Sequence, residues 1–350
     1  MKSFNPKKLL ATLSLVSLLS QNAMSASRDF RPDYLSEDEE LQELNHYVTL
    51  NGLFQTGYVN ETLADGSNRS AIRNTLSIGI RVSVNGYFEI VSLIATGPSY
   101  ARLEDTVWDT NTGDFNLMPK LHVRQIYLEK KFGDYVRAQL GALSTAEGDI
   151  ANLVGLDGAG FVDGGRVQIN TKLGDIIATV GSIDDYNNLN PITRDRSLNY
   201  IELKVSQEFL RNFLKTQVGI EKFGDKVLAK GAVKYDLSVA TGKIIELMAE
   251  AMVDVKSGSI MGSAGVGADL LSLITGKYKD RLKLGVAYTY VSSDLTDRFN
   301  ISTNTFTAPN GHGVLIKMGG NISEEYALLW NAEIRFGETS GVQVYVTKKL

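Results

Sequence analysis

The most constraining feature of the sequence is an alternation of apolar and polar residues that continues from about residue 46 to the end. It is clearest in three runs, 76–84, 282–290 and 326–336; in the first, Leu76, Ile78, Ile80, Val82 and Val84 alternate with Ser77, Gly79, Arg81 and Ser83. A period of two predicts β-strands with one apolar and one polar face. Runs of about 9–13 residues exceed the usual 5–6 of globular strands and match the 9–11 that cross a bilayer at a tilt.

The connections between the predicted strands differ in length on the two sides of the sheet. About sixteen strands can be placed, and five long connections then fall on one side: 59–72, 97–119, 144–164, 183–197 and 293–311. The connections on the other side are short, and Asn85-Gly86 between two alternating runs is a strong hairpin signal. Short turns on one side and longer loops on the other are typical of bacterial outer-membrane barrels.

Closure of the sheet follows from the same reasoning. In lipid every backbone N–H and C=O group must find a partner within the protein, and only a closed sheet has no edges. We therefore predict an all-β fold, a transmembrane antiparallel up-and-down β-barrel of about 16 strands (14–18) over residues 45–350. Its outside would be apolar and its lumen polar, and a barrel this wide leaves an aqueous channel.

Composition excludes several other classes. The mean hydropathy of −0.08 is too low for a polytopic helical membrane protein, which needs uncharged apolar stretches of about 20 residues. The 350 residues include no cysteine, so disulfide frameworks, thiolate metal sites and cysteine nucleophiles are excluded.

Two segments precede the predicted barrel. Residues 1–26 carry Lys2, Lys7 and Lys8, then an apolar stretch from Leu9 to Leu19, then small residues, which predicts a secretory signal peptide. Residues 27–44 are rich in Asp and Glu, and we interpret them as a solvated acidic periplasmic segment. The mature protein is therefore expected outside the cytoplasm, in the bacterial outer membrane.

One hairpin carries a family resemblance. The run Arg124–Glu129, the turn Phe132-Gly133-Asp134 and the run Val136–Gly141 together resemble the hairpin before the third outer loop of bacterial outer-membrane porins. The resemblance implies that the next connection, Ser144–Gly164, folds into the lumen and forms the constriction. It also makes a homotrimer plausible.

Charged residues near this connection give the candidate site. The constriction loop would contribute the acids Glu147, Asp149, Asp157 and Asp163, and the lumen-facing strand positions nearby would contribute Arg81, Arg124, Arg137 and Arg166. Acids opposed to arginines produce a transverse field that orders water and selects solutes by charge and dipole. The alternative is that these are solvated charges of an outer loop and ordinary polar residues of the lumen. Counts of inward basic and acidic residues leave the charge selectivity open.

The predicted function is therefore an outer-membrane porin for passive diffusion of small hydrophilic solutes. Its partners would be outer-membrane lipid, lipopolysaccharide and the solutes, without nucleic acid. His46, His122 and His312 are far apart in sequence, so no metal site, cofactor or catalytic residue is predicted. Two alternatives stay open: a closed-lumen barrel with a structural or adhesive surface role, and an outer-membrane lipid hydrolase.

Overall fold

The structure is a computed structural model. It describes residues 48–350 except 63–65, 85–87, 101, 110–111, 114, 116–119, 146–149, 152, 172–173, 184, 210–212, 238–244, 276–279, 302–309 and 338–339. The predicted signal peptide and acidic segment lie outside the described residues and stay predictions.

Most described residues belong to β-strands. The strands are β1 (Val48–Thr62), β2 (Asn68–Val84), β3 (Phe88–Ala95), β4 (Asp105–Asp109), β5 (His122–Phe132), β6 (Val136–Leu143), β7 (Val162–Thr171), β8 (Gly174–Ser182), β9 (Tyr200–Phe209), β10 (Leu214–Phe223), β11 (Lys226–Asp236), β12 (Ile245–Asp254), β13 (Ile260–Asp269), β14 (Lys283–Val291), β15 (Gly311–Ser323), β16 (Leu328–Gly337) and β17 (Ser340–Lys349). Short helical segments follow two of them: α1 (Leu270–Thr275) after β13, and a 3-10 turn (Ser293–Leu295) with α2 (Thr296–Phe299) after β14.

The strands form one closed antiparallel barrel. Strands that are neighbours in the chain pair with each other, except that β4 pairs with β2 and β5 pairs with β3. β1 pairs with both β2 and β17, which removes the sheet edges. β3 and β4 share one position in the wall, because β2 pairs first with β3 at Ser77–Ala95 and then with β4 at Asn74–Asp105. The seventeen described strands therefore occupy sixteen wall positions, and the predicted fold class is confirmed.

The two rims of the barrel differ as the sequence predicts. Long connections at 96–121, 144–161, 183–199 and 292–310 lie at one rim, which we call the loop rim. The opposite rim, the turn rim, carries short connections and one longer one, 270–282, which contains α1. The prediction of a long connection at 59–72 is wrong. β1 ends at Thr62 and β2 begins at Asn68, so only residues 63–67 connect them.

The outer surface of the barrel is apolar. Outward-facing side chains such as Ile201, Leu203 and Val205 on β9 are exposed, whereas the intervening Glu202 and Lys204 are buried on the inner side. Exposed aromatic residues lie towards both rims: Phe88, Phe132, Tyr135, Phe209 and Tyr326 at the turn rim, and Tyr58, Tyr288, Tyr290 and Phe336 near the loop rim. An apolar band between two aromatic girdles is the surface of a membrane-spanning barrel.

Candidate lumenal site

We call the connection between β6 and β7, residues 144–161, the lumenal loop. Its described residues lie inside the barrel. Its backbone reaches the far wall: the Ile150 amide donates to Gln217 Oε1 on β10 at 2.9 Å. The Leu153 and Val154 amides donate to the two carboxylate oxygens of Glu250 on β12, at 2.7 and 3.3 Å. The loop therefore crosses the lumen from its own strands to the opposite side.

Apolar packing holds the same part of the loop. Ala151, Leu153 and Val154 form a buried cluster with inward-facing residues of the far wall, namely Leu228, Ala232, Met252, Met261 and Val291. These wall residues form an apolar patch on the inner face. Apolar side chains of the loop and of the wall are buried against each other. This burial stabilises the loop on the wall in addition to the hydrogen bonds.

Of the four acids predicted on this loop, two are described. Asp157 is in the loop, where its Oδ1 accepts from the Ala159 amide at 2.8 Å and its own amide donates to the Ile301 carbonyl at 3.0 Å. Asp163 lies at the start of β7 and accepts from Arg194 Nη1 at 3.0 Å. Glu147 and Asp149 lie outside the described residues.

Two of the four predicted arginines line the wall near the turn rim. Arg81 on β2 pairs with Glu89 and, at 3.1 Å, with Glu129. Arg137 on β6 lies 3.9 Å from Glu129 through its Nε. The side chains of Arg81 and Arg137 retain 13% and 24% exposure, which leaves both in contact with the lumen.

The other two predicted arginines are buried in hydrogen-bond networks. Arg124 is the extra residue of a bulge in β5, since Leu93 pairs with Gln125 and Ile94 with Val123. Its guanidinium donates to four backbone carbonyls between β3 and β4, those of Thr96, Gly97, Tyr100 and Arg102, at 2.9–3.2 Å. Arg166 on β7 is also buried and donates to Thr179 Oγ1 at 3.0 Å and Gln139 Oε1 at 3.3 Å.

A second loop also enters the lumen, which the sequence reasoning missed. Residues 292–301 of the β14–β15 connection place Leu295, Phe299 and Ile301 among the buried apolar clusters. Arg298 of α2 is fully buried and donates from Nε to Glu221 Oε1 at 2.6 Å and from Nη2 to the Val154 carbonyl at 2.7 Å. Burial lowers the pKa of Arg298, but the charge of Glu221 outweighs it, so the pKa is raised and the side chain stays charged. The spacing of Leu295, Phe299 and Ile301 is the sequence signal that could have indicated a buried loop.

A third loop completes this packing. Arg194, in the connection between β8 and β9, stacks its guanidinium 3.2 Å above the centroid of the Phe161 ring. Burial lowers the pKa of Arg194, and the charge of Asp163 opposes that effect. Tyr100, from the connection before β4, donates to the Phe161 carbonyl at 3.0 Å. Loops from four connections therefore meet within the barrel near the loop rim.

Ionic groups fill the space beneath these loops. Lys230 on β11 pairs with Glu202 on β9 and, at 2.9 Å, with Glu221 on β10. Lys204 lies 3.9 Å from Glu202. All four side chains are almost completely buried, so these four charges are shielded from the remaining space.

On the opposite side of the barrel a carboxylate joins the strands where the sheet closes. Glu61 on β1 accepts from Arg73 Nη2 on β2 at 2.7 Å and from Arg335 Nη2 on β16 at 3.2 Å. Arg335 reaches Glu61 across Gly341 on β17, the residue that pairs with both. We call Glu61, Arg73 and Arg335 the seam cluster. Sequence reasoning missed Glu61 because it fell within a predicted loop.

The described residues contain no cluster of three or more His, Asp or Glu side chains arranged to hold a metal ion. Among them, no helix is both long and apolar enough to cross a membrane. His122 lies on β5 and His312 on β15, which are not neighbours in the sheet. The His312 ring instead contacts Tyr288 and Tyr290 on the outer surface.

Comparison with known proteins places the fold. No model of a known protein family matches the sequence, and no curated protein matches it. Among solved structures, a low-pH structure of Pseudomonas putida OprB has 10% identity over 93% of this chain and 99% of its own, with a TM-score of 0.57.

Two further solved porin structures are similar to most of this chain. A triple mutant of the Rhodopseudomonas blastica porin has 11% identity over 87% of this chain and 100% of its own, with a TM-score of 0.55. Salmonella typhi OmpF, in complex with daunomycin, has 11% identity over 87% of this chain and 97% of its own, with a TM-score of 0.53. Together with the closed barrel of sixteen wall positions, these similarities show that the chain has the fold of the bacterial porins.

Proposed function

We propose that the protein is a bacterial outer-membrane porin, a water-filled channel for passive diffusion of small hydrophilic solutes. The observation that carries the proposal is the lumenal loop, which enters a barrel with an apolar exterior and is bound to the far wall through Gln217 and Glu250. A loop in this place would narrow the lumen, since the far-wall contacts of its described residues extend from Gln217 on β10 to Val291 on β14.

We further propose that the lumenal loop is the constriction and that Glu147, Asp149 and Asp157 supply its negative charge. The opposing basic side would then be supplied by Arg81 and Arg137, and Arg73 and Arg335 of the seam cluster would add positive charge from within the wall. Arg124, Arg166 and Asp163 would support this arrangement from within the protein, since their charged groups already bind protein atoms. Opposed charges across a narrow aqueous path bias the passage of ions and dipoles.

The apolar band and the aromatic girdles support a location in the outer membrane, in contact with lipid and lipopolysaccharide. Assembly as a homotrimer is proposed by analogy with the porin fold. Small hydrophilic solutes would cross by passive diffusion, so no cofactor is required.

Planar-bilayer recording tests the proposal. The purified protein should insert and produce steady open levels whose conductance rises with salt concentration, as expected for an aqueous pore. Insertion without any steady open level would contradict the proposal.

A closed barrel with a structural or adhesive role is the second candidate, and one observation favours it. The two apolar clusters formed by the loops, with the buried ion pairs below them, occupy part of the lumen. If that packing were complete, vesicles containing the protein would exclude small sugars in a swelling assay.

The lipid-hydrolase alternative would require phospholipid turnover that disappears in His122→Ala.

A further inference from the structure

Ala151, Leu153 and Val154, which we call the tip of the lumenal loop, are held from two sides. The wall binds its N–H groups, because Glu250 accepts from the Leu153 and Val154 amides. The second loop binds its carbonyl side, because Arg298 donates to the Val154 carbonyl at 2.7 Å. Further along the lumenal loop, the Asp157 amide donates to the Ile301 carbonyl at 3.0 Å, so the two loops meet twice.

The direction of the Arg298 side chain is fixed by the barrel wall. Its Nε and Nη2 donate to Glu221 Oε1 and Oε2 at 2.6 and 3.2 Å, a two-point contact that orients the planar guanidinium. Glu221 also binds Lys230 at 2.9 Å. Removal of Arg298 would therefore leave Glu221 with a cationic partner, while the Val154 carbonyl would lose its donor.

Apolar contacts extend the same connection. Leu295 and Phe299, which flank Arg298, are buried in the cluster that contains Ala151, Leu153 and Val154. α2 thus contacts the loop tip through apolar packing as well as through the Arg298 hydrogen bond. A tip covered in this way cannot leave the wall unless the second loop moves as well.

We infer that Arg298 is a positioning residue that fixes the tip of the lumenal loop, so that two loops jointly set the constriction. The inference rests on the proposed function for its consequence in permeation. The physical link between the loops can be tested without a channel measurement.

Thiol accessibility provides that test. The chain has no cysteine, so Ala151→Cys introduces a unique and conservative probe within the buried tip. Ala71→Cys, also buried, on β2 on the other side of the lumen, serves as the reference probe. The purified, folded barrel is treated with a small charged methanethiosulfonate reagent, and the labelling rate is measured.

In the Arg298→Ala background the Ala151→Cys probe should react at least about tenfold faster, because loss of a charged hydrogen bond raises the population of the detached tip by that order. The Ala71→Cys probe should keep its rate. Arg281→Ala is the matched control, since Arg281 also donates to backbone carbonyls, those of Asn321 and Ile322, but at the turn rim. Neither probe should respond to it.

Equal labelling of the tip probe in Arg298→Ala and in the parent would overturn the inference, as would an equal acceleration at both probes. If Arg298→Ala does not reach the heat-modifiable folded form in gel electrophoresis, Arg298→Lys is used instead. Lysine keeps a positive charge beside Glu221 but cannot span both contacts, so selective acceleration of about threefold or more is expected. If the tip probe reacts faster in Arg298→Ala but the protein shows no conductance, the proposed channel function would be wrong. The link between the two loops would still hold.

Discussion

Neutralising Glu61 in the seam cluster should change the ion selectivity of the channel. Glu61 is a buried carboxylate that accepts from Arg73 on β2 and Arg335 on β16. Glu61→Gln keeps the size of the side chain and one oxygen acceptor, but it removes the negative charge. The two buried arginines then keep their charges with one compensating charge fewer, and the field that they produce in the lumen becomes more positive.

The magnitude follows from the charge that is lost. At a separation of about 8 Å in water, one unit charge interacts with a passing ion by about 0.5 kcal/mol, which is roughly a twofold change in occupancy for each ion. The effect has opposite sign for anions and cations, so the anion-to-cation permeability ratio should rise about fivefold at low salt. Screening at about 0.1–1 M salt reduces the change, and a reversal-potential shift on the order of 10 mV is expected in a roughly tenfold gradient.

The assay is the zero-current potential of a bilayer containing many channels in a potassium chloride gradient. It should move towards the chloride equilibrium potential in Glu61→Gln. Glu208→Gln is the control, because Glu208 is an exposed acid at the turn rim that pairs with Lys215. A shift in Glu61→Gln no larger than that of Glu208→Gln would refute the reasoning.

Four further variants test other parts of the structure. Glu250→Ala removes the acceptor of two tip amides, about 3 kcal/mol of docking energy, and should give larger and noisier single-channel currents. Arg124→Ala leaves four carbonyls without their donor and should lower the free energy of unfolding, measured by urea titration in vesicles, by about 3 kcal/mol or more. Gly57→Val places a side chain against the Tyr345 ring and should reduce the yield of folded barrel on semi-native gels. Leu140→Arg exposes a charge to lipid and should lower the free energy of unfolding by about 2–4 kcal/mol, whereas an unchanged value would argue against membrane burial of that face.

The barrel wall could be predicted from the sequence because its pattern is local. Along β2 each residue contributes alternately to one face, so Ser77, Gly79 and Arg81 identify the inner side without any knowledge of distant strands. The alternation of inward and outward residues is interrupted where a strand contains a bulge. At the bulge in β5, Arg124 and Gln125 are consecutive and both buried, so counting by twos cannot describe both.

The interior of the barrel could be predicted only in part. The resemblance indicated that the lumenal loop folds inwards, but its partners are far away in the chain: Leu153 binds Glu250, 97 residues later, and Arg298 binds Val154, 144 residues earlier. No local pattern encodes such pairs. β4 is a further example, because its five residues are extended through pairing with Ala71–Asn74, near the start of β2.

The pairing of β1 with β17 has a consequence for the order of events during folding. Glu61 and Arg335 are 274 residues apart in the chain, yet they contact each other across the closing strands. Contacts of such long range form slowly, because the loop entropy is lost before the contact is gained. An enclosed lumen requires the last strand to meet the first, so the buried loops dock into a barrel only as it closes. A defect in these strands should therefore appear first as slow assembly and accumulation of unfolded chain.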